Sequence, residues 1–166
     1  MKKTTIALAI ITALPLMAAE KPVKKESLLS NLSVEALGVI RYQGTSFDKG
    51  EDYGVGVGIG YRFNKYVSGQ INAISYSNED WGGGTVDEGS ALIYATLLSS
   101  QNGGVSLAAV GGVDRSFQYE DWGFSVGPCV SFAISKNIYL TTEARVRAWD
   151  KREMDVLVTA GVGFSF

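Results

Sequence analysis

Eight times along this chain, apolar side chains alternate with small or polar ones at period two, and that repetition limits the fold more than any other feature. Successive side chains of a strand point to opposite faces, so each run is a strand with one greasy and one polar side. The runs cover approximately 32–43, 52–63, 65–76, 88–99, 104–114, 119–134, 138–149 and 153–166. In the second, Tyr53, Val55, Val57, Ile59, Tyr61 and Phe63 oppose Gly54, Gly56, Gly58, Gly60 and Arg62. In the last, Val156, Val158, Ala160, Val162, Phe164 and Phe166 oppose Asp155, Leu157, Thr159, Gly161, Gly163 and Ser165. From Leu32 onward, no long segment spaces its apolar residues as an amphipathic helix does.

A soluble sandwich alternates as well, so length and connection decide. Each run reaches the roughly 9–11 tilted residues that cross a bilayer. Asn64-Lys65, Gln101-Asn102-Gly103 and Ser135-Lys136-Asn137 make tight turns, while 44–51, 77–87, 115–118 and 150–152 are polar connections. Tight turns on one side and longer loops on the other predict a membrane barrel with its short side in the periplasm. The expected fold is therefore all-β: an eight-stranded antiparallel up-and-down transmembrane β-barrel over 32–166. Two aromatic girdles are expected, with Tyr42, Tyr53, Trp122 and Trp149 at the outer rim. Tyr61, Phe63, Phe132, Tyr139, Phe164 and Phe166 are expected at the periplasmic rim.

The start of the chain agrees. Lys2 and Lys3, an apolar stretch from Thr5 to Met17, and Ala18-Ala19 predict a cleavable signal peptide over 1–19. Residues 20–31, with Lys21, Lys24 and Lys25, form a periplasmic N-terminal segment that is either a free tail or a partial plug. The predicted destination is the bacterial outer membrane.

The final residues, Val158-Thr159-Ala160-Gly161-Val162-Gly163-Phe164-Ser165-Phe166, resemble the C-terminal signal of the small eight-stranded outer-membrane barrels. That family is typified by the transmembrane domain of outer-membrane protein A (OmpA) and by OmpX. Gly58 to Lys65 is similar to a strand–turn–strand element common in the same family. The resemblance implies that Val162, Phe164 and Phe166 form the signal read by the barrel-insertion machinery. It also implies passage through the periplasm with chaperones, and outer-membrane lipid and lipopolysaccharide as surroundings.

If the apolar faces meet lipid, the other faces fill the lumen. That places Glu35, Arg41, Arg62, Asp114, Glu143, Arg145, Arg147 and Asp155 inside, with Gln70 and Asn72, as a network of balanced charge. Unpaired buried charges are costly, so a satisfied polar plug is expected ahead of a gated ion path. The glycines from Gly54 to Gly60 do not carry the spacing of a dinucleotide fingerprint. They leave room for side chains from across the lumen, such as Arg145 or Tyr94. Cys129 is expected as a small inward filler.

The chain contains no histidine, the side chain on which barrel enzymes lean as general base. No catalytic site, cofactor or metal is expected. A formal charge of −2 gives no reason to expect nucleic acid, and the protein is expected to be monomeric. Asp48, Glu51, Asp52, Glu79, Asp80, Asp87, Glu88, Glu120 and Asp121 make the outer loops acidic, only partly offset by Lys49, Lys151 and Arg152. In the longest loop, Glu79, Asp80 and Trp81 are the candidate binding surface. Three roles follow: a structural envelope barrel with a polar plug, a narrow channel for ions or small solutes, and a surface-binding or adhesion protein.

Overall fold

The computed structural model describes residues 28–44, 51–77, 86–100 and 104–166. The expected signal peptide, residues 20–27, Asp48, Lys49, the loop residues Glu79, Asp80 and Trp81, and the turn 101–103 lie outside the described residues. A short 3-10 turn, Leu28–Asn31, leads into eight strands. These are β1 (Leu32–Gln43), β2 (Glu51–Arg62), β3 (Val67–Tyr76), β4 (Glu88–Ser99), β5 (Val105–Ser116), β6 (Asp121–Ala133), β7 (Ile138–Trp149) and β8 (Asp155–Ser165). Every boundary falls within two residues of the alternation pattern.

The strands pair antiparallel in chain order, and β8 returns to β1 to close the barrel. That seam runs from Ser33 opposite Ser165 to Gln43 opposite Asp155. Closure leaves no strand edge unpaired, a requirement for any sheet that meets hydrocarbon.

Local chemistry explains the tight turns. The Asn64 side-chain oxygen accepts hydrogen bonds from the Tyr66 and Val67 amides, and the Ser135 hydroxyl accepts from Asn137 and Ile138. Such side chains stand in for a backbone turn. At the long-loop end, Glu120 closes the β5–β6 connection with φ of 49°, the left-handed region that a residue with a Cβ rarely adopts. In β6, Pro128 has no N–H, and no paired residues lie between Val126–Val146 and Cys129–Glu143 on β7. Beside it, a Cβ on Gly127 would meet the Ala144 carbonyl oxygen at 1.8 Å, so only glycine permits that approach.

The alternation separates two environments. Val55, Val57, Ile59, Ile71, Phe124 and Val126 all point away from the lumen and are more than half exposed. They form part of an apolar surface around the barrel that a water-soluble monomer does not carry. The inner face is mixed rather than purely polar. Leu37, Val39, Ile74, Tyr76 and Leu157 make one buried apolar cluster; Leu92, Ala108, Val110 and Cys129 make another, with Tyr94 against it.

Two expected girdle residues turn inward instead. Trp149 is buried and donates its indole N–H to Asp155 at 3.0 Å. The Tyr139 ring fills the space over Gly163. Both share strand parity with Arg145 and Arg147, and parity overrides the general preference of aromatic rings for the interface.

Candidate functional site

The lumen holds the molecule's buried charges, and they sort into two groups. Nearer the long loops, Glu88 is the hub, only 1% exposed. It accepts from Arg41 Nη1 at 2.9 Å, from Arg147 Nη1 at 2.5 Å and from the Tyr76 hydroxyl at 2.9 Å. Arg41 also donates through Nε to Asp52 at 2.8 Å, and Arg147 grips Asp155 with Nε and Nη2 at 2.6 and 2.8 Å. The two-pronged contact fixes geometry as well as charge. Arg152 reaches in from the β7–β8 loop, its Nε 3.4 Å from Asp121 and its guanidinium 3.9 Å above the Trp149 ring.

Deeper in the barrel, Arg145 is completely buried and donates through Nη1 to Asp114 at 3.0 Å and to the Ser125 hydroxyl at 2.8 Å. Its Nε lies 2.5 Å from Glu143 Oε1. That contact is an ion pair without hydrogen-bond alignment, so both atoms, together with Arg145 Nη2 and Asp114 Oδ2, lack a hydrogen-bond partner among the described residues. Glu143 Oε2 accepts from the Tyr94 hydroxyl at 2.9 Å. Among the described residues, Glu35 has neutral donors only: Gln70 at 2.9 Å and the Thr141 hydroxyl.

Toward the short-turn end lies a chamber of about 620 Å³, lined by Glu35, Gln70, Tyr94, Ser131, Thr141 and Glu143 among others. Ser30 and Asn31 of the 3-10 turn stand at its mouth with Arg62, Lys65 and Lys136. At the opposite end, a second recess is bordered by Arg41, Gln43, Tyr119, Arg152 and Asp155. The two share no lining residue. Val39, Ile74, Tyr76, Glu88, Asp114, Arg145, Arg147 and Leu157 line neither.

Of the eight residues expected in the lumen network, seven are buried: Glu35, Arg41, Asp114, Glu143, Arg145, Arg147 and Asp155. Arg62 is the exception. It has inward parity but sits exposed at the last residue of β2, so water reaches it. The expected charge balance fails for a related reason. Asp52, Glu88 and Asp121, expected on the acidic loop surface, turn into the lumen, and among the described residues only Arg152 joins them as a cation. Among the described residues, seven carboxylates (Glu35, Asp52, Glu88, Asp114, Asp121, Glu143 and Asp155) thus face four guanidiniums.

The signal for Glu88 was present, since it shares parity with Ser90 and Leu92. Its place at the start of β4 beside a polar loop hid it. Nothing local marks Arg152, a loop residue. The glycine run of β2 also serves another neighbour than expected. Cβ atoms on Gly54, Gly56 and Gly58 would meet Tyr76, Ile74, and Gln70 with Asn72, all from adjacent β3. Neither Arg145 nor Tyr94 from across the lumen is among those closest neighbours. Val162, Phe164 and Phe166 point outward, with the Phe164 and Phe166 rings edge to face at 5.3 Å.

Known structures share this fold. The N-terminal β-barrel domain of Pseudomonas aeruginosa OprF superposes with a TM-score of 0.60 at 13% identity, over 82% of this chain and 98% of that one. Neisserial surface protein A gives 0.57 at 18% identity, over 81% and 96%. The chain has the fold of the small outer-membrane β-barrels. A de novo designed transmembrane β-barrel gives 0.51 at 11% identity, over 87% and 100%. No family model matches the sequence, and no curated protein does. At these identities the likeness is one of fold, carried by alternation and closure rather than by particular side chains.

Proposed function

We propose that this chain is an exported, monomeric, integral outer-membrane barrel with a structural role in the envelope, a closed lumen and no catalytic activity. One observation carries the proposal: the buried Glu88 hub, where arginines from β1 and β7 meet a carboxylate from β4 across the lumen. Cross-lumen ion pairs of this kind tie strands together and leave no path between the two recesses. The apolar outer face supplies the membrane contact, with lipid and lipopolysaccharide around it. Val162, Phe164 and Phe166 serve as the insertion signal for the barrel machinery, reached through periplasmic chaperones. Glu79, Asp80 and Trp81 remain the candidate surface for an outside partner.

A heat-modifiable gel band is expected for the folded protein, and no steady single-channel openings in planar bilayers. Extraction without detergent, or an unshifted band, contradicts the membrane assignment. The chamber and the unsatisfied groups around Arg145 favour a second reading, a narrow channel. Steady openings abolished by Arg145→Glu decide for it.

A further inference from the structure

Among the described residues, the outward face of the eight strands carries one basic side chain. Of the five strand arginines, Arg41, Arg62, Arg145 and Arg147 have inward parity, and no strand contains a lysine. Arg115 points the other way. Asp114 and Ser116 on either side of it are buried in the lumen, and it follows the outward series Leu107, Ala109, Gly111 and Val113 on β5. It stands opposite Gly89 on β4 and Trp122 on β6, and its guanidinium lies 4.9 Å from the centre of the Trp122 ring. Gly89 offers no side chain, and the Phe117 ring covers that space instead, 3.4 Å from where a Cβ would stand. Trp122 and Phe117 are both more than half exposed. A guanidinium is thus framed by two rings at the level where the apolar band of β5 and β6 ends. The acids next to it in sequence are turned away: Asp114 accepts from Ser90 and Arg145, and Asp121 accepts from the Lys151 amide.

We propose that Arg115, Trp122 and Phe117 form a binding site for a phosphate of the surrounding lipopolysaccharide, with the guanidinium donating to phosphate oxygens and the two rings lying against the lipid. This rests on the outer-membrane reading above, in which the long-loop end faces the outer leaflet. An outward arginine is costly at the middle of a bilayer and tolerated at headgroup level, where aromatic rings also settle. Its planar fork matches two phosphate oxygens, which a point charge does not. Glu120 and Asp150 are exposed in the loops beyond the site. The rim as a whole therefore does not draw anions, and recognition depends on the direct pairing of Arg115 with phosphate.

The test uses the folded protein in phosphatidylcholine nanodiscs, with the Arg115 Nε–H and Trp122 indole N–H observed by NMR as diphosphoryl lipid A is added. Saturating shifts at both are expected, with none at lumenal Arg147. Lipid A stripped of its phosphates should give no shift, and phosphatidylglycerol at equal charge no saturation. Arg115→Gln should abolish the Trp122 response. If that variant gives no heat-modifiable band, Arg115→Lys replaces it, and the loss of the fork should weaken binding about tenfold. Absence of saturation with lipid A overturns the proposal, and an Arg115 engaged by Glu79 or Asp80 of the longest loop gives that result. Equal saturation with phosphatidylglycerol overturns it as well, as does a Trp122 response that persists in Arg115→Gln or is undiminished in Arg115→Lys. Folding is read separately from the heat-modifiable band, so a folded barrel that ignores lipid A overturns this site and leaves the membrane assignment standing.

Discussion

The two halves of the lumen answer the same burial problem differently. In the outer half, each arginine meets at least two acidic or aromatic partners, and Tyr76 and Trp149 donate to the same carboxylate oxygens that Arg147 holds. In the periplasmic half, the donors to Glu35 among the described residues are the Gln70 amide and the Thr141 hydroxyl, and Glu143 shares the single Arg145 with Asp114 while bordering the chamber. The same strands supply both halves, so the difference lies in side-chain size. Large residues such as Ile74, Tyr76, Arg147, Trp149 and Leu157 fill the first, whereas serines and threonines border the second. An eight-stranded barrel is just wide enough for side chains to fill it, and here only one half does so.

Paired substitutions can break this contrast. The largest effect is expected for Glu88→Gln, which removes the charge shared by Arg41 and Arg147 while keeping its shape. Losing one partner of a buried pair costs about 3–5 kcal/mol, read as a lower urea midpoint in detergent. A loss under about 1 kcal/mol would show that the outer half does not depend on its hub. Next comes Leu157→Ala, a fully buried side chain among Leu37, Val39, Ile74 and Tyr76. It should cost about 2–5 kcal/mol by the same measurement, because the rigid wall around it relaxes little.

The third contrast lies within one strand. Ser125 and Ser131 share the inner face of β6, but Ser125 accepts from Arg145 whereas Ser131 borders the chamber. Ser125→Val should lose about 2 kcal/mol through the broken charged hydrogen bond, and Ser131→Val less than about 1. Equal losses would mean that the chamber is filled in solution. The smallest effect belongs to Glu35→Gln, expected within about 0.5 kcal/mol or stabilising, because no arginine or lysine among the described residues loses a partner. A loss as large as that of Glu88→Gln would erase the distinction between the halves.

The contrast also explains what was legible in the chain. Strand number, limits and order were readable because alternation and turn chemistry are local. Seven of the eight expected lumen charges were readable because parity alone decides which face they take. Trp149 and Tyr139 were misplaced because a general preference of rings for the interface was set above parity. Leu37, Val39 and Ile74 are apolar yet inward, which hydrophobicity by itself assigns to lipid. Arg152 is a contact across loops, and the chamber is a missing volume. Neither leaves a mark on a single strand.

The division of the lumen is tested most directly by thiol accessibility in nanodiscs, with Cys129→Ala as background. Thr141→Cys in the chamber should react quickly with a membrane-impermeant methanethiosulfonate. Ser90→Cys, beside Asp114 and facing the filled half, should not react. Comparable labelling at both positions would contradict a lumen that is closed on one side and open on the other.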